Sequence, residues 1–150
     1  MDKEETKGIR AVMILEIIGR PAEHLTETLK EIIKKIDEEK GVEVKEHKIN
    51  ESVLIKDQKD FYSSFAEIEV EVEEILYLAM LIYKYMPAHI EIIEPGLIML
   101  SNNGWSEIFN ELTRRLHTYD EVARVLQIEK GLLEKKLREL LPKKEKTEEK

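Results

Sequence analysis

The sequence of 150 residues contains no cysteine. This absence excludes a disulfide framework, a thiolate nucleophile and any cysteine-ligated zinc or iron–sulfur site. With only six glycines, glycine-rich loops that bind phosphate are scarce, and no G-x-G-x-x-G, Walker-type or G-x-S-x-G motif occurs. The chain therefore lacks the commonest sequence signatures of an enzyme, and it points to no particular cofactor.

Long hydrophobic runs are also missing. The longest apolar run covers residues 75–83, whereas a helix that crosses a bilayer needs about 20 apolar residues. Residues 1–8 are polar, so we expect no signal peptide there. We therefore expect a cytoplasmic protein without a membrane partner. We also expect residues 1–8 to be disordered, as well as the charged tail at 142–150.

Negative charge is in excess but is unevenly distributed. The formal net charge is −8, from 24 basic and 32 acidic side chains. Residues 1–100 carry 13 basic and 22 acidic side chains, whereas residues 101–150 carry 11 and 10. An acidic chain is a poor general binder of nucleic acid. Any contact with a polyanion is therefore expected in the last third of the chain.

The hydrophobic pattern between residues 9 and 94 alternates between strand and helix periods. Residues 9–18 form a nearly continuous apolar run typical of a buried strand, and residues 61–72 alternate apolar and polar side chains. Helical spacing predicts helices at about 22–40 and 74–86, and shorter strands are expected at 42–49 and 88–94. This β-α-β-β-α-β order predicts an α+β domain at residues 9–100, with a ferredoxin-like sandwich. A further short strand is expected at 97–100.

Residues 101–141 show a helical pattern with an apolar seven-residue repeat. Thr118 and Glu121 have the spacing of a capping box, and Gly131 costs about 1 kcal/mol inside a helix. These features favour breaks near Thr118 and Gly131, after a turn at 102–104. We therefore expect a helical hairpin or a coiled-coil arm. The two series of the repeat are Trp105, Leu112, Tyr119, Leu126, Leu133 and Leu140, and Phe109, Leu116, Ala123, Lys130 and Leu137.

Residues 17–25 read IIGRPAEHL, a strand end, a turn and a helix start. This segment resembles the beginning of an ACT regulatory domain, in which a strand ends in an Arg-Pro-Gly-type turn. The resemblance implies the same β-α-β-β-α-β order, pairing through sheets or strand edges, and amino-acid binding at interfaces. It places ligand contacts at Gly19, Arg20, Pro21 and His24.

Residues 119–138 carry a second resemblance, to a Fis-type helix-turn-helix. The matching positions include a small Ala123 inside the first helix and Leu126 and Ile128 at the turn, followed by Leu133, Lys136 and Leu137. The resemblance implies that Lys130, Lys135, Lys136 and Arg138 contact DNA. A helical hairpin or a coiled-coil arm explains the same pattern without DNA.

One face of the expected sheet carries acidic residues next to apolar ones. A divalent cation or acid–base chemistry could use such a cluster, although alternating glutamates usually mark a solvated face. Apolar groups on this face favour a cover, either the C-terminal helices or a second subunit. The candidate metal ligands are Glu16, Glu67, Glu69, His89 and Glu91, and the apolar groups are Val12, Ile14 and Ile18.

We therefore expect a non-enzymatic regulatory or protein-interaction module, with the sensing of a small ligand as one option. We expect it to form a homo-oligomer, in the simplest case a dimer. A protein partner could also bind the C-terminal helices. A DNA-binding regulator and a metal-dependent enzyme on the acidic face remain alternatives. The expected interface residues are Val12, Ile14, Ile18, Trp105, Phe109, Leu112, Leu116, Tyr119, Leu126, Leu133 and Leu137.

Overall fold

The computed structural model describes residues 4–141. It is an α+β protein with one five-stranded antiparallel sheet and three helices. The elements in chain order are β1 (Ile9–Gly19), α1 (Ala22–Asp37), β2 (Val42–Ile49), β3 (Val53–Leu54), β4 (Tyr62–Val72), α2 (Ile75–Tyr85), β5 (His89–Glu94) and α3 (Asn102–Leu140). The short β3 lies between the segments 42–49 and 61–72, where the sequence pattern predicted no further strand.

The sheet has the strand order β2-β4-β1-β5, and β3 pairs with β4. Strand β1 pairs with β4 along its whole length, from Ile9 opposite Val72 to Gly19 opposite Tyr62. Its β-branched, apolar sequence suits this central position between β4 and β5, since both of its edges are hydrogen-bonded. The predicted alternation along β4 is confirmed, because its side chains are alternately buried and accessible from Ser64 onward.

The core lies between one face of the sheet and the first two helices. Side chains of β1 and β4 on this face, among them Met13 and Ile68, are fully buried. They pack in one cluster with Leu29 of α1 and Leu78 of α2. Burying each such side chain contributes about 1.5–3 kcal/mol. The opposite face of the sheet is not covered by α1 or α2, and this leaves it available as a candidate surface.

Residues 5–8, which belong to the expected disordered N-terminus, make tertiary hydrogen bonds. Thr6 donates its backbone N–H to the carbonyl of Met99 (3.0 Å), and Met99 donates its own N–H to Thr6 Oγ1 (2.7 Å). The segment 97–100 forms no strand, although one was expected there. The expected disordered tail at 142–150 lies outside the described residues.

Helix α3 is a single helix of 39 residues, about 58 Å long, so the expected hairpin with breaks near Thr118 and Gly131 is wrong. It begins earlier than expected, because Ser101 Oγ accepts the backbone N–H of Gly104 (3.0 Å) and caps the first turn. Thr118 makes no cap, since its hydroxyl donates to the carbonyl of Arg114 one turn earlier (3.1 Å). The cost of Gly131 is too small to end a helix of this length.

The chain divides into two compact units, Met1–Phe109 and Asn110–Lys150. The first contains the sheet, α1, α2 and the beginning of α3. The second contains the rest of α3. The boundary between these two units falls inside α3. Within residues 4–141, no helix is long and apolar enough to cross a membrane.

Candidate functional site

The most extensive exposed apolar surface belongs to α3. We use the term α3 seam for the residues that repeat at alternating spacings of four and three along this helix. The exposed fraction of its large apolar members ranges from 36% at Leu112 to 82% at Leu140. The seam consists of Leu112, Leu116, Tyr119, Ala123, Leu126, Lys130, Leu133, Leu137 and Leu140.

Charged side chains beside the seam pair mostly within the helix. Glu111 accepts hydrogen bonds from Arg114 and Arg115, with Arg115 Nε 3.0 Å from Glu111 Oε1. These two hydrogen bonds hold the pKa of the Glu111 carboxyl below its usual value. Lys130, the polar member of the seam, lies 3.8 Å from Glu134. The exposed pair of Lys130 and Glu134 contributes little to stability. These charge pairs leave the apolar seam uncovered.

The beginning of α3 is fixed within the first unit. Tyr83 of α2 donates its hydroxyl to the carbonyl of Ile108 (3.1 Å), and Ile108 is the buried residue of this helix. Trp105 and Phe109 stack on each other with ring centroids 5.6 Å apart, and both remain about half exposed. These two expected interface residues therefore form an accessible stacked aromatic pair.

The open face of the sheet contains the other expected interface residues. Val12 and Ile14 are half-buried, whereas Ile18 is 61% exposed. The Arg10 guanidinium lies between Glu69 and Glu94, at 3.5 Å from each carboxylate, but its buried Nε has no hydrogen bond of good geometry. The apolar groups are thus flanked by charged groups and form no continuous apolar patch.

The strand register separates the candidate metal ligands. Glu67 and His89 lie opposite Ile14, on either side of it. Glu69 and Glu91 flank Val12 in the same way, while Glu16 lies opposite Phe65. Within the part of the chain that the structure describes, no group of three or more His, Cys, Asp or Glu side chains could hold a metal ion. The structure therefore does not assemble the expected metal site.

The turn between β1 and α1 borders an open depression of about 540 Å³, lined by Arg20, Pro21, Ala22, Glu23, Asp60 and Tyr62. Two of the four residues implied by the ACT resemblance, Arg20 and Pro21, therefore line this depression. Gly19 and His24 are not among the lining residues. The Arg20 guanidinium lies over the Phe61 ring, 5.2 Å from its centroid. No buried polar side chain lines the depression, so its chemistry indicates no specific ligand.

The candidate DNA contacts all lie on the second half of α3. Lys130, Lys135, Lys136 and Arg138 are exposed. The residues around Leu126 and Ile128 continue the helix, so the two helices and the intervening turn of a helix-turn-helix are not formed. Without that turn, no separate recognition helix is available for a major groove.

Sequence reasoning missed a polar cluster at one end of α1 and α2. Glu39 Oε1 accepts hydrogen bonds from Lys84 Nζ and from the Tyr85 hydroxyl, the latter at 2.6 Å. These bonds lower the pKa of the Glu39 carboxyl. Burial and the bond to Glu39 raise the pKa of the Tyr85 hydroxyl. No local sequence signal reveals this cluster, because Glu39 lies 45 residues before Lys84 and 46 residues before Tyr85.

A second set of exposed apolar side chains on α3 was also missed. Val125, Ile128 and Leu132 are each more than half exposed. Their spacing of three and four residues places them together on a face away from the seam. This signal was present in the sequence but was masked by the stronger seven-residue repeat.

Comparisons with known proteins identify a family but no characterised relative. A search of curated proteins and a search of solved structures found no match. The model of the MJ0538 family matches residues 10–144, which include the whole sheet after its first residue and all of α3. The chain therefore belongs to the MJ0538 family.

Proposed function

We propose that this protein is a non-enzymatic interaction module that forms a homodimer through the α3 seam. The observation that carries the proposal is the exposure of the seam over most of a long helix, including 58% of Leu116, 56% of Leu126 and 67% of Leu133. Exposed leucines in such a regular array are rare on a helix surface that faces only water. A partner helix would cover them.

The available area is sufficient for a stable dimer. Each leucine-sized side chain of the seam offers on the order of 100 Å² of apolar surface. The seam contains seven large apolar side chains in each copy, so two copies together would bury on the order of 1,400 Å². A specific protein–protein interface usually buries about 1,200–2,000 Å².

A second copy of the chain is the occupant that best fits the seam. The seven-residue repeat with apolar residues at two positions is the pattern by which helices pair as coiled coils. Residues 110–140 carry seven basic and six acidic side chains, so two identical helices would meet without strong net repulsion. Two-fold symmetric dimers are also the commonest soluble oligomers.

We further propose that the first unit has the ferredoxin-like arrangement expected from the sequence. Its support is the strand order β2-β4-β1-β5, with neighbouring strands antiparallel. Residues from α1 and α2 pack into a single cluster with one face of this sheet. In this arrangement the unit is a compact platform whose open face remains available for a further contact.

The test of the proposed function is the substitution Leu126→Glu, followed by sedimentation equilibrium of the full chain. Leu126 lies in the middle of the seam and is present in both copies. Losing two buried leucines and placing two carboxylates in the interface would weaken the dimer by about 10²–10⁴-fold. Glutamate has a helix propensity close to that of leucine, so α3 itself is expected to persist.

The matched control is Ile128→Glu, which makes the same kind of change two residues away. Ile128 is 65% exposed and lies outside the seam. We expect this variant to dimerise like the original protein. A monomeric original protein would refute the proposal. If both substitutions weakened the dimer equally, the dimer interface on α3 would not be confined to the seam.

A further inference from the structure

We infer that the two α3 helices of the dimer run antiparallel, with Ala123 of one copy against Leu126 of the other. This inference rests on the proposed function, because it assumes that two seams face each other. It adds the orientation and the register of the pairing. The argument uses the side chains of the seam and the charges beside it, taken layer by layer.

In a parallel pair, each seam residue would face its own counterpart. Lys130 would meet Lys130 of the second copy, which places two ammonium groups at one layer of an otherwise apolar interface. Ala123 would meet Ala123 of the second copy and leave a gap between leucine-sized neighbours. Beside the seam, Glu129 would lie near Glu134 of the second copy, which adds repulsion between carboxylates, whereas Arg115 would lie near Asp120 of the second copy and partly offset it.

An antiparallel pair relieves these mismatches at one register. When Ala123 lies against Leu126 of the second copy, a small side chain meets a large one in both central layers. The next layers bring Lys130 of each copy against Tyr119 of the other. The ammonium group can then approach the electron-rich face of an aromatic ring, which is a favourable contact.

The outer layers of this register are entirely apolar. Leu116 lies against Leu133 of the second copy, and Leu112 lies against Leu137. The register therefore uses the seam from Leu112 to Leu137 with its centre between Ala123 and Leu126, so the two helices overlap over nearly the whole exposed repeat. Because the dimer has two-fold symmetry, each of these residue pairings occurs twice.

Two symmetry-related pairs of like charges remain in this arrangement. Arg115 would approach Lys136 of the second copy at the edge of the interface. Glu111 lies 3.0 Å from Arg115 Nε, and its side chain is only 19% exposed. This carboxylate offsets the positive charge of Arg115 locally. The repulsion is therefore smaller than that of two ammonium groups inside a parallel seam.

The orientation can be measured with cysteine pairs, because the chain contains no cysteine of its own. Leu116→Cys and Leu133→Cys are prepared as two separate full-length proteins, mixed in equal amounts and equilibrated in a glutathione redox buffer. Trypsin cleaves after Arg115 and after Lys130, so the two cysteines fall in different peptides. Mass spectrometry of the linked peptides then shows which cysteines have joined.

We expect at least about ten times more disulfides between peptides of the two different variants than between two peptides of the same variant. Disulfides within each variant, at 116 with 116 and 133 with 133, would overturn the antiparallel arrangement while leaving the dimer in place. Sedimentation equilibrium of the unmodified protein reports separately on the dimer. A dimer in which neither kind of disulfide forms would also overturn the inference, because the two seams would not then face each other.

Discussion

Replacing Gly41 by alanine tests the packing of the α1–β2 turn against α2. Gly41 has a backbone φ of +72°, in the left-handed region that favours glycine. A Cβ atom at this position would lie 2.5 Å from both Cδ2 and Cε2 of the Tyr77 ring. Alanine therefore adds two independent costs at one site: backbone strain and a steric clash with an aromatic side chain.

The magnitude follows from these two costs. The left-handed conformation costs a residue with a Cβ atom roughly 1–2 kcal/mol. Moving the Tyr77 ring away from the new methyl group is an overpacking effect, which typically costs about 1–3 kcal/mol. We expect Gly41→Ala to lower the free energy of unfolding by about 2–5 kcal/mol.

Gly8 provides a matched control for the backbone term. Its φ is +68°, and no heavy atom lies within 4 Å of an added Cβ. Gly8→Ala is therefore expected to lower the free energy of unfolding by only about 1–2 kcal/mol. The difference between the two variants isolates the contact with Tyr77.

Urea denaturation followed by fluorescence is the appropriate assay. Trp105 is the single tryptophan and lies in the first unit. All samples need the same protein concentration, because the proposed dimerisation would couple stability to concentration. If Gly41→Ala destabilises the protein no more than Gly8→Ala does, the close approach of the turn to Tyr77 is refuted.

Two further predictions concern the core and the polar cluster of the first unit. Ile68→Ala should lower the free energy of unfolding by about 2–5 kcal/mol, because Ile68 is fully buried. The exposed control Ile18→Ala should change it by less than about 0.5 kcal/mol, and equal effects in urea denaturation would contradict the assigned faces of the sheet. Hydrogen bonds from Lys84 and Tyr85 lower the pKa of Glu39, so its stabilising contribution is present above the unfolded-state pKa and is lost as the pH falls through the folded-state pKa. The stability advantage of the original protein over Glu39→Gln, measured by urea denaturation at about pH 7 and about pH 3, should therefore shrink at the lower pH, and a constant difference would contradict this reasoning.

Much of the fold could be predicted from the sequence because the relevant signals are local. The alternation along β4 reflects a strand with one buried face, and its period of two is visible in the residues themselves. The helical spacing of Leu25, Leu29 and Ile33 likewise marks the buried face of α1. The seven-residue repeat of α3 was visible for the same reason, and it identified the seam before the tertiary structure was considered.

The number of helices in the last third was not predictable in the same way. A capping box at Thr118 and a glycine at position 131 each change helix stability by only about 1 kcal/mol. Whether a helix ends or continues at such a point depends on the sum of several terms of this size. In the structure, Thr118 bonds back to Arg114 and the helix continues, while Ser101 provides a cap that the sequence analysis overlooked.

The sequence by itself determined the types of element, the buried faces of β1, β4 and α1, and the repeat along α3, because each depends on the periodic spacing of neighbouring residues. Only the tertiary structure decided which distant residues meet. The register placed Glu16 opposite Phe65 and not beside another carboxylate. Chain packing brought Glu39 to Tyr85. Such contacts depend on how strands pair and helices dock in three dimensions, and a local pattern carries no information about either.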